Sequence, residues 1–166
     1  MDLVIRPDGR ARWHDLEMQC ALGRSGIVVE KREGDGATPA GTLSLSRVLY
    51  RLDRIAKPDT ELALAALQPD DGWCDAPEDA SYNQQVRLPH GSSCEALWRN
   101  DRVYDLIVVT DFNVAPVVPH AGSAIFLHVS RPGYASTGGC IAFALDDLRL
   151  IVSEWRPADR VRVAAD

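Results

Sequence analysis

Apolar and polar positions alternate in short runs along most of this 166-residue chain. Leu3 to Arg6 and Ala11 to His14 flank a Pro7-Asp8-Gly9 turn, the pattern of a β-hairpin. A further strand is predicted near Met18 to Leu22. Gly23 to Gly26 then turns the chain into Ile27 to Glu30. The stretch G-D-G-A-T-P-A-G, residues 34 to 41, reads as a loop whose residue types suit unusual backbone angles. Thr42 to Tyr50 alternates as a strand. Tyr104 to Val109 and Ala124 to Val129 are the most strand-like runs, apolar on both faces, and Asn113 to Gly122 between them is a proline-bearing loop.

Two segments show helical spacing instead. Asp59 to Leu67 places Leu62, Ala63, Ala66 and Leu67 at helical intervals, although the run is short. Asp146 is positioned to cap a longer helix reaching Trp155, with Leu148, Ile151, Val152 and Trp155 on one stripe and Pro157 ending it. Arg160 to Val163 supplies a last strand. Pro69 to Pro89 is the least regular part, with Trp73 as its anchor, and reads as a lid over a site or a packed excursion. No repeat or linker interrupts the chain. Residues 1–166 are therefore expected to form one mainly β domain with a C-terminal helix.

Composition narrows the function classes. Hydrophobic residues make up 46% and charged residues 25%, an ordinary globular balance that excludes a disordered chain. The net charge is −6, with Lys and Arg never clustered beyond a pair, which disfavours nucleic acid and anionic lipid as partners. Single cations such as Arg24, Arg87 and Arg131 suit a carboxylate ligand, but isolated cations are commonly solvated surface charges. No apolar run approaches the roughly 20 residues of a membrane span. The opening M-D-L-V-I-R-P-D-G-R lacks the regions of a secretory signal, so a cytoplasmic protein is expected, or a periplasmic one had a leader been trimmed.

Cysteines at 20, 74, 94 and 140 form no C-x-x-C pair, and free thiols are expected. His90 with Cys94 is the nearest metal-binding pair, too few ligands for zinc, so neither metal nor cofactor is expected. The chemistry lies later in the chain. His128 interrupts the apolar strand A-I-F-L-H-V, and twelve residues on comes S-T-G-G-C-I. A lone strand histidine is commonly a satisfied core residue. Beside a glycine-flanked cysteine it has another use. A thiol of pKa about 8.5 needs a base or an ion-pair partner to become a thiolate. Glycine lets a substrate carbonyl approach closely, with a backbone N–H aimed at the developing oxyanion. Cys140 is then the nucleophile, His128 the base and Gly139 part of the oxyanion site. The competing reading is a structural G-G-C turn. Cys20, Cys74 and Cys94 lack the glycine setting, as does Ser136 for a Ser–His hydrolase.

With these residues the C-terminal half resembles the YkuD-type L,D-transpeptidase family, whose signature is a histidine, a spacer, then [Ser/Thr]-His-Gly-Cys and an apolar residue. His128 is similar to the first histidine, Thr137 to the hydroxyl position, Gly139 to the glycine and Cys140 to the nucleophile. Residues 34 to 42, G-D-G-A-T-P-A-G-T, are similar to the family's T-P-x-G-T element. The chain departs at Gly138, where many members carry a second histidine, at Ala142, where they carry Asn or Arg, and in a shorter His-to-Cys spacer.

The resemblance implies a β-sandwich-like L,D-transpeptidase fold. It further implies a Cys140 thioester formed at the diaminopimelate–D-Ala bond of a peptidoglycan stem peptide or muropeptide. Backbone N–H groups of Gly139 and Cys140 would hold the oxyanion, and a carbapenem is an expected covalent ligand. Water as acceptor gives an L,D-carboxypeptidase and an amine gives a crosslinking L,D-transpeptidase. The cytoplasmic start favours a carboxypeptidase that trims tetrapeptides to tripeptides in wall recycling. The transpeptidase is the alternative, and a non-catalytic muropeptide-binding module is a second one. Substrate contacts are expected from Arg131, Tyr134, Thr137 and Gly138 in the His128–Cys140 loop, and from Asn113 and His120 in the preceding loop.

Overall fold

The computed structural model describes residues 1–165. The hairpin opens it: β1 (Asp2–Ile5) and β2 (Arg10–Trp13) pair antiparallel around Gly9, whose φ of +78° is the left-handed geometry the turn needs. β3 (Leu16–Ala21) follows, then two short parallel pieces, β4 (Ile27–Val28) and β5 (Thr38–Pro39). The expected strand from Thr42 to Tyr50 is divided at Ser44 into β6 (Gly41–Leu43) and β7 (Leu45–Tyr50). Asp111 accepts the Ser44 N–H at 2.8 Å there, taking the place of a ladder partner.

β8 (Ala63–Ala66) pairs parallel with β7. Next come β9 (Asp71–Cys74), β10 (Gln85–Arg87) and β11 (Cys94–Ala96), followed by β12 (Leu106–Thr110), β13 (Phe126–Val129) and β14 (Ile141–Phe143). The helix α1 (Leu145–Glu154) and β15 (Arg160–Val163) end the described chain.

Ten strands form one mixed sheet in the order β6-β15-β1-β2-β3-β14-β13-β12-β7-β8. β6 and β7 are separated only by Ser44 yet lie near opposite ends of that order, so the sheet curls until its two ends meet. Side chains from both halves consequently share one core. Leu3, Ile5 and Trp13 from one end and Val48 and Leu106 from the other join Leu127, Val129, Ile141 and Phe143 around the apolar stripe of α1. Each fully buried side chain of this kind contributes roughly 1.5–3 kcal/mol.

Alternation along β12–β14 sends the intervening residues to the opposite face. There Ile107, Val109, Phe126 and Cys140 meet Trp73 and Leu97 of a three-stranded sheet ordered β10-β9-β11. The irregular segment of the sequence is thus a packed excursion. Trp73 anchors it as expected, with its ring edge-on to Phe126 at 4.8 Å.

Two element assignments are corrected. Residues 59 to 67 contain the edge strand β8 and no helix. So short a helix would lack the turns needed to offset nucleation, whereas β7 offers unpaired backbone groups, and Leu62, Leu64 and Ala66 reach the core at period two. At α1 the N-cap is Ala144, with no side-chain cap, and Asp146 lies inside the first turn beside Asp147, where both carboxylates complement the helix dipole.

Asn83 ties the small sheet to the large one. Its carboxamide accepts from Trp73 Nε1 (3.0 Å) and from the Ala124 N–H (3.0 Å), and donates to the carbonyls of Phe112 (2.9 Å) and Asn113 (2.8 Å). Its φ of +57° is a geometry that asparagine tolerates better than most residues. Asn83→Ala strands buried donors and acceptors on both sides, so urea denaturation is expected to show a loss on the order of 2–3 kcal/mol. A change under about 0.5 kcal/mol would mean that the two sheets are not joined through this residue.

Candidate active site

The site is set by the parallel pairing of β13 with β14, in which His128 stands opposite Ala142 and Leu127 opposite Ile141. Continued back one position, that register sets Cys140 beside Phe126, whose N–H reaches the sulfur at 3.4 Å. Phe126, His128, Cys140 and Ala142 therefore point to one face, the face that meets the small sheet. Cys140 and His128 lie one strand apart and two positions along, about 8 Å between Cα atoms by strand geometry.

Both reactive groups are buried, His128 at 4% and Cys140 at 8% exposure. His128 Nδ1 is 2.9 Å from the carbonyl oxygen of Val129. A carbonyl only accepts, so Nδ1 carries the proton and Nε2 keeps a lone pair. Burial lowers the pKa of the ring to about 4, with the Val129 carbonyl opposing and Arg131 and Arg99 adding repulsion. The Cys140 thiol donates to the Ala124 carbonyl at 3.0 Å. Burial raises its pKa to about 12, Glu95 adds to the rise, and the Phe126 N–H counters it. Of the two possibilities the sequence left open, a base or an ion-pair partner for the thiol, burial favours the neutral thiol beside a neutral base, because it disfavours both charges. Among the described residues, the hydrogen-bond partners of the sulfur are Ala124 and Phe126, not His128.

The loop before Cys140 is held from beneath. Thr137 Oγ1 donates to the Cys140 carbonyl at 2.7 Å and accepts the Gly139 N–H at 3.1 Å. Its backbone bridges to Leu22 and Arg24 (2.9 and 3.0 Å), and Gly23 N–H in turn bonds Thr38 Oγ1 at 2.9 Å. Thr38 and its neighbours belong to the A-T-P-A-G-T stretch, so that element is the floor on which the loop before Cys140 rests. Gly139 has φ +143°, and a Cβ there would sit 2.7 Å from the Ala37 carbonyl oxygen. At Gly138 a Cβ would meet nothing within 4 Å.

His128, Cys140, Gly138, Gly139, Thr137 and Arg131 all line one cavity of about 210 Å³. Thr137 faces it with a hydroxyl already engaged inside the loop, so it acts as a support more than as a contact. Tyr134 opens onto a neighbouring apolar depression, reached over Val103 and Arg131. Asn113 and His120 lie elsewhere. The Asn113 carboxamide closes its own loop on Val118 and Gly122, and His120 bonds Glu78 at 2.7 Å.

Cavity residues not anticipated from the sequence include Glu33, Asp75, Glu95, Arg99 and Tyr104. Tyr104 lies edge-on to His128 with ring centroids 5.3 Å apart and donates to Glu95 at 2.5 Å. Burial raises the pKa of the Glu95 carboxyl. Asp75 Oδ1 is buried without a hydrogen-bond partner among the described residues. Asp75 and Glu95 come from the small sheet, and its docking brings them here, whereas Glu33 comes from the loop between β4 and β5. Apart from this cavity, the same sheet gathers Cys74, His90 and Cys94, whose donor atoms lie within 4.8 Å of one another.

The two glycines separate cleanly by experiment. Gly139→Ala combines a left-handed backbone with a collision against Ala37 and is expected to cost about 1–3 kcal/mol. Gly138→Ala, facing open space, should change thermal stability by no more than about 0.5 kcal/mol. Equal effects would show that the loop is not braced as described.

Residues 3–163 match the family model described as YkuD, L,D-transpeptidase catalytic domain. None of the curated proteins compared matches the chain. Among solved structures, an L,D-transpeptidase from Mycobacterium smegmatis is similar over 99% of this chain, with 15% identity and a TM-score of 0.42. This chain spans 58% of the length of that one. Because the family model covers nearly the whole sequence, the chain belongs to the YkuD family of L,D-transpeptidase catalytic domains.

Proposed function

We propose that this protein cleaves the diaminopimelate–D-Ala bond of a peptidoglycan stem peptide by acyl transfer to Cys140, and that water resolves the thioester. The observation that carries the reading is a thiol and an imidazole on one sheet face, opening into one cavity, with the ring in the tautomer whose Nε2 can take a proton.

The reaction begins from the neutral pair. The Cys140 S–H leaves the Ala124 carbonyl and passes its proton to His128 Nε2 as the sulfur attacks the stem carbonyl. With the Gly139 N–H engaged by Thr137, oxyanion stabilisation falls to the Cys140 N–H. The imidazolium returns its proton to the amine of the departing D-Ala. Water, deprotonated by the same Nε2, then hydrolyses the thioester and releases a tripeptide stem.

The polar lining suits that substrate. Arg99 is held by Asp101 through two contacts of 2.6 and 2.8 Å, whereas Arg131 approaches the same carboxylate only at 3.8 Å and is the freer to bind a stem carboxylate. Asp75, with its unpaired buried oxygen, and Glu33 and Glu95 form an acidic wall for an ammonium group. An amino-acid centre, carrying both charges, is complementary to such a cavity. Hydrolysis and crosslinking share the thioester and differ only in whether water or an amine resolves it, and water needs no second binding site beside the cavity.

Incubation with a disaccharide tetrapeptide should yield the tripeptide and free D-Ala, read by mass spectrometry. Crosslinked dimer as the main product would overturn the hydrolytic reading in favour of transpeptidation. Cys140→Ala should abolish turnover, and His128→Ala should lower kcat by about 10²–10⁴-fold. Retained turnover in Cys140→Ala would dismiss the Cys140 mechanism, and muropeptide binding with no turnover in the unmodified protein would make a binding module the better account.

The pH profile supplies a further test. Burial holds the folded-state pKa of His128 below its ordinary 6.5, so the neutral base persists as the solution is acidified. The acid limb of kcat/KM for free enzyme is therefore expected to have its midpoint near pH 4. A midpoint at or above 6.5 would contradict a buried neutral base.

A further inference from the structure

The three-stranded sheet holds a second cluster of reactive groups that acyl transfer does not use. Cys74 ends β9, Cys94 begins β11, and the register pairs them directly across the ladder. The backbone bonds fix what kind of pair this is. Leu97 N–H bonds the Asp71 carbonyl at 3.0 Å and Asp75 N–H bonds the Ser93 carbonyl at 3.2 Å. The bonded positions are thus 71 with 97 and 75 with 93, which leaves 74 with 94 a non-hydrogen-bonded pair, the type that draws its side chains together. His90 comes from the turn between β10 and β11. One donor atom from each residue, two sulfurs and a ring nitrogen, lie within 4.8 Å of one another.

The histidine is also oriented from behind. His90 Nε2 is 3.2 Å from Asp79 Oδ2, and the other Asp79 oxygen accepts the Ser81 N–H at 2.7 Å. A carboxylate on one nitrogen fixes the ring and leaves Nδ1 to act as a ligand, the outer-shell arrangement common to metal-bound histidines. Cys74 is buried while His90 and Cys94 are half-buried, so an ion can enter from solvent.

Two thiols and an imidazole suit a borderline-soft ion of tetrahedral preference and not an oxygen-seeking one such as magnesium or calcium. Bonds of about 2.3 Å to sulfur at tetrahedral angles place donors about 3.8 Å apart. The cluster thus needs to close by no more than about 1 Å, within the reach of side-chain rotation. We propose that Cys74, His90 and Cys94 bind a zinc ion, with Asp79 as the residue that positions His90. Binding converts both thiols to thiolates and releases two protons, while His90 binds as neutral imidazole. The fourth coordination position is left to solvent.

The site has a consequence for the cavity. Asp75 and Glu95 directly follow Cys74 and Cys94 and supply two of the acids of its wall. An ion joining β9, β11 and the His90 turn fixes the strands that present those acids. The proposed ion is a staple for a small sheet of three- and four-residue strands and takes no part in catalysis.

The test uses the full chain, reduced and freed of metal with a chelator under anaerobic conditions, and cobalt(II) as the probe. One equivalent is expected to produce thiolate-to-cobalt charge-transfer absorption with tetrahedral d–d bands, bleached by zinc. Cys94→Ser should remove the charge-transfer band of a two-thiolate site or roughly halve it. Asp79→Asn, which leaves all three ligands in place, should weaken zinc binding by about 10–100-fold. Cys140→Ala should leave the spectrum unchanged, separating this site from the acyl-transfer thiol. Reduced protein that gives no charge-transfer band would overturn the proposal. So would a band lost in Cys140→Ala and kept in Cys94→Ser, or a Cys74–Cys94 disulfide in the isolated protein with no cobalt binding after reduction.

Discussion

The acyl-transfer chemistry proposed for this molecule depends on the parallel pairing of β13 with β14 and on the glycine that lets the chain enter it. His128 lies inside one strand and Cys140 directly before the next, so the ladder that pairs Leu127 with Ile141 also decides that imidazole and sulfur share a face. A slip of one residue would turn the histidine into the core around α1. Gly139 is the residue at which the constraint is tightest. Its left-handed backbone and its approach to the Ala37 carbonyl join the nucleophile loop to the A-T-P-A-G-T stretch more than ninety positions earlier. Two sequence motifs far apart in the chain are thereby a single support.

Burial sets how the site rests. The same low-dielectric face that packs Phe126, Trp73 and Tyr104 keeps the thiol protonated and the imidazole neutral. Reactivity is then conditional on substrate. In the proposed mechanism the proton leaves sulfur as a carbonyl arrives to take the developing charge, while the ring, with Nδ1 committed to Val129, presents one basic nitrogen. The small sheet completes this arrangement from outside. It brings Asp75 and Glu95 to the cavity wall, and Asn83 fastens it to Ala124, whose carbonyl holds the thiol proton at rest.

Much of this was legible along the chain, and the failures have physical causes. The opening hairpin, the two apolar strands and the terminal helix were readable because turn chemistry and periodicity agree there. The run at 62–67 misled because short apolar spacings do not separate a helical turn from an edge strand, and the vacant edge of β7 decided the matter. The break at Ser44 depends on Asp111, sixty-seven residues away, which no local pattern reveals. The Cys140 and His128 positions stood out through glycines and an interrupted apolar run. Loop membership alone points to Asn113 and His120 as contacts, yet Asn113 closes its own loop and His120 pairs with Glu78. Asp75 and Glu95 carried no local signal at all, since only the docking of one sheet on another brings them to the cavity.

The central claim is that, of the four thiols, Cys140 alone is placed to form an acyl bond. Peptide mapping by mass spectrometry after exposure to a carbapenem tests it most directly. A single adduct on the peptide bearing Cys140, missing from the Cys140→Ala protein, is the predicted result. An adduct on Cys20, Cys74 or Cys94, or one that persists in Cys140→Ala, would contradict it.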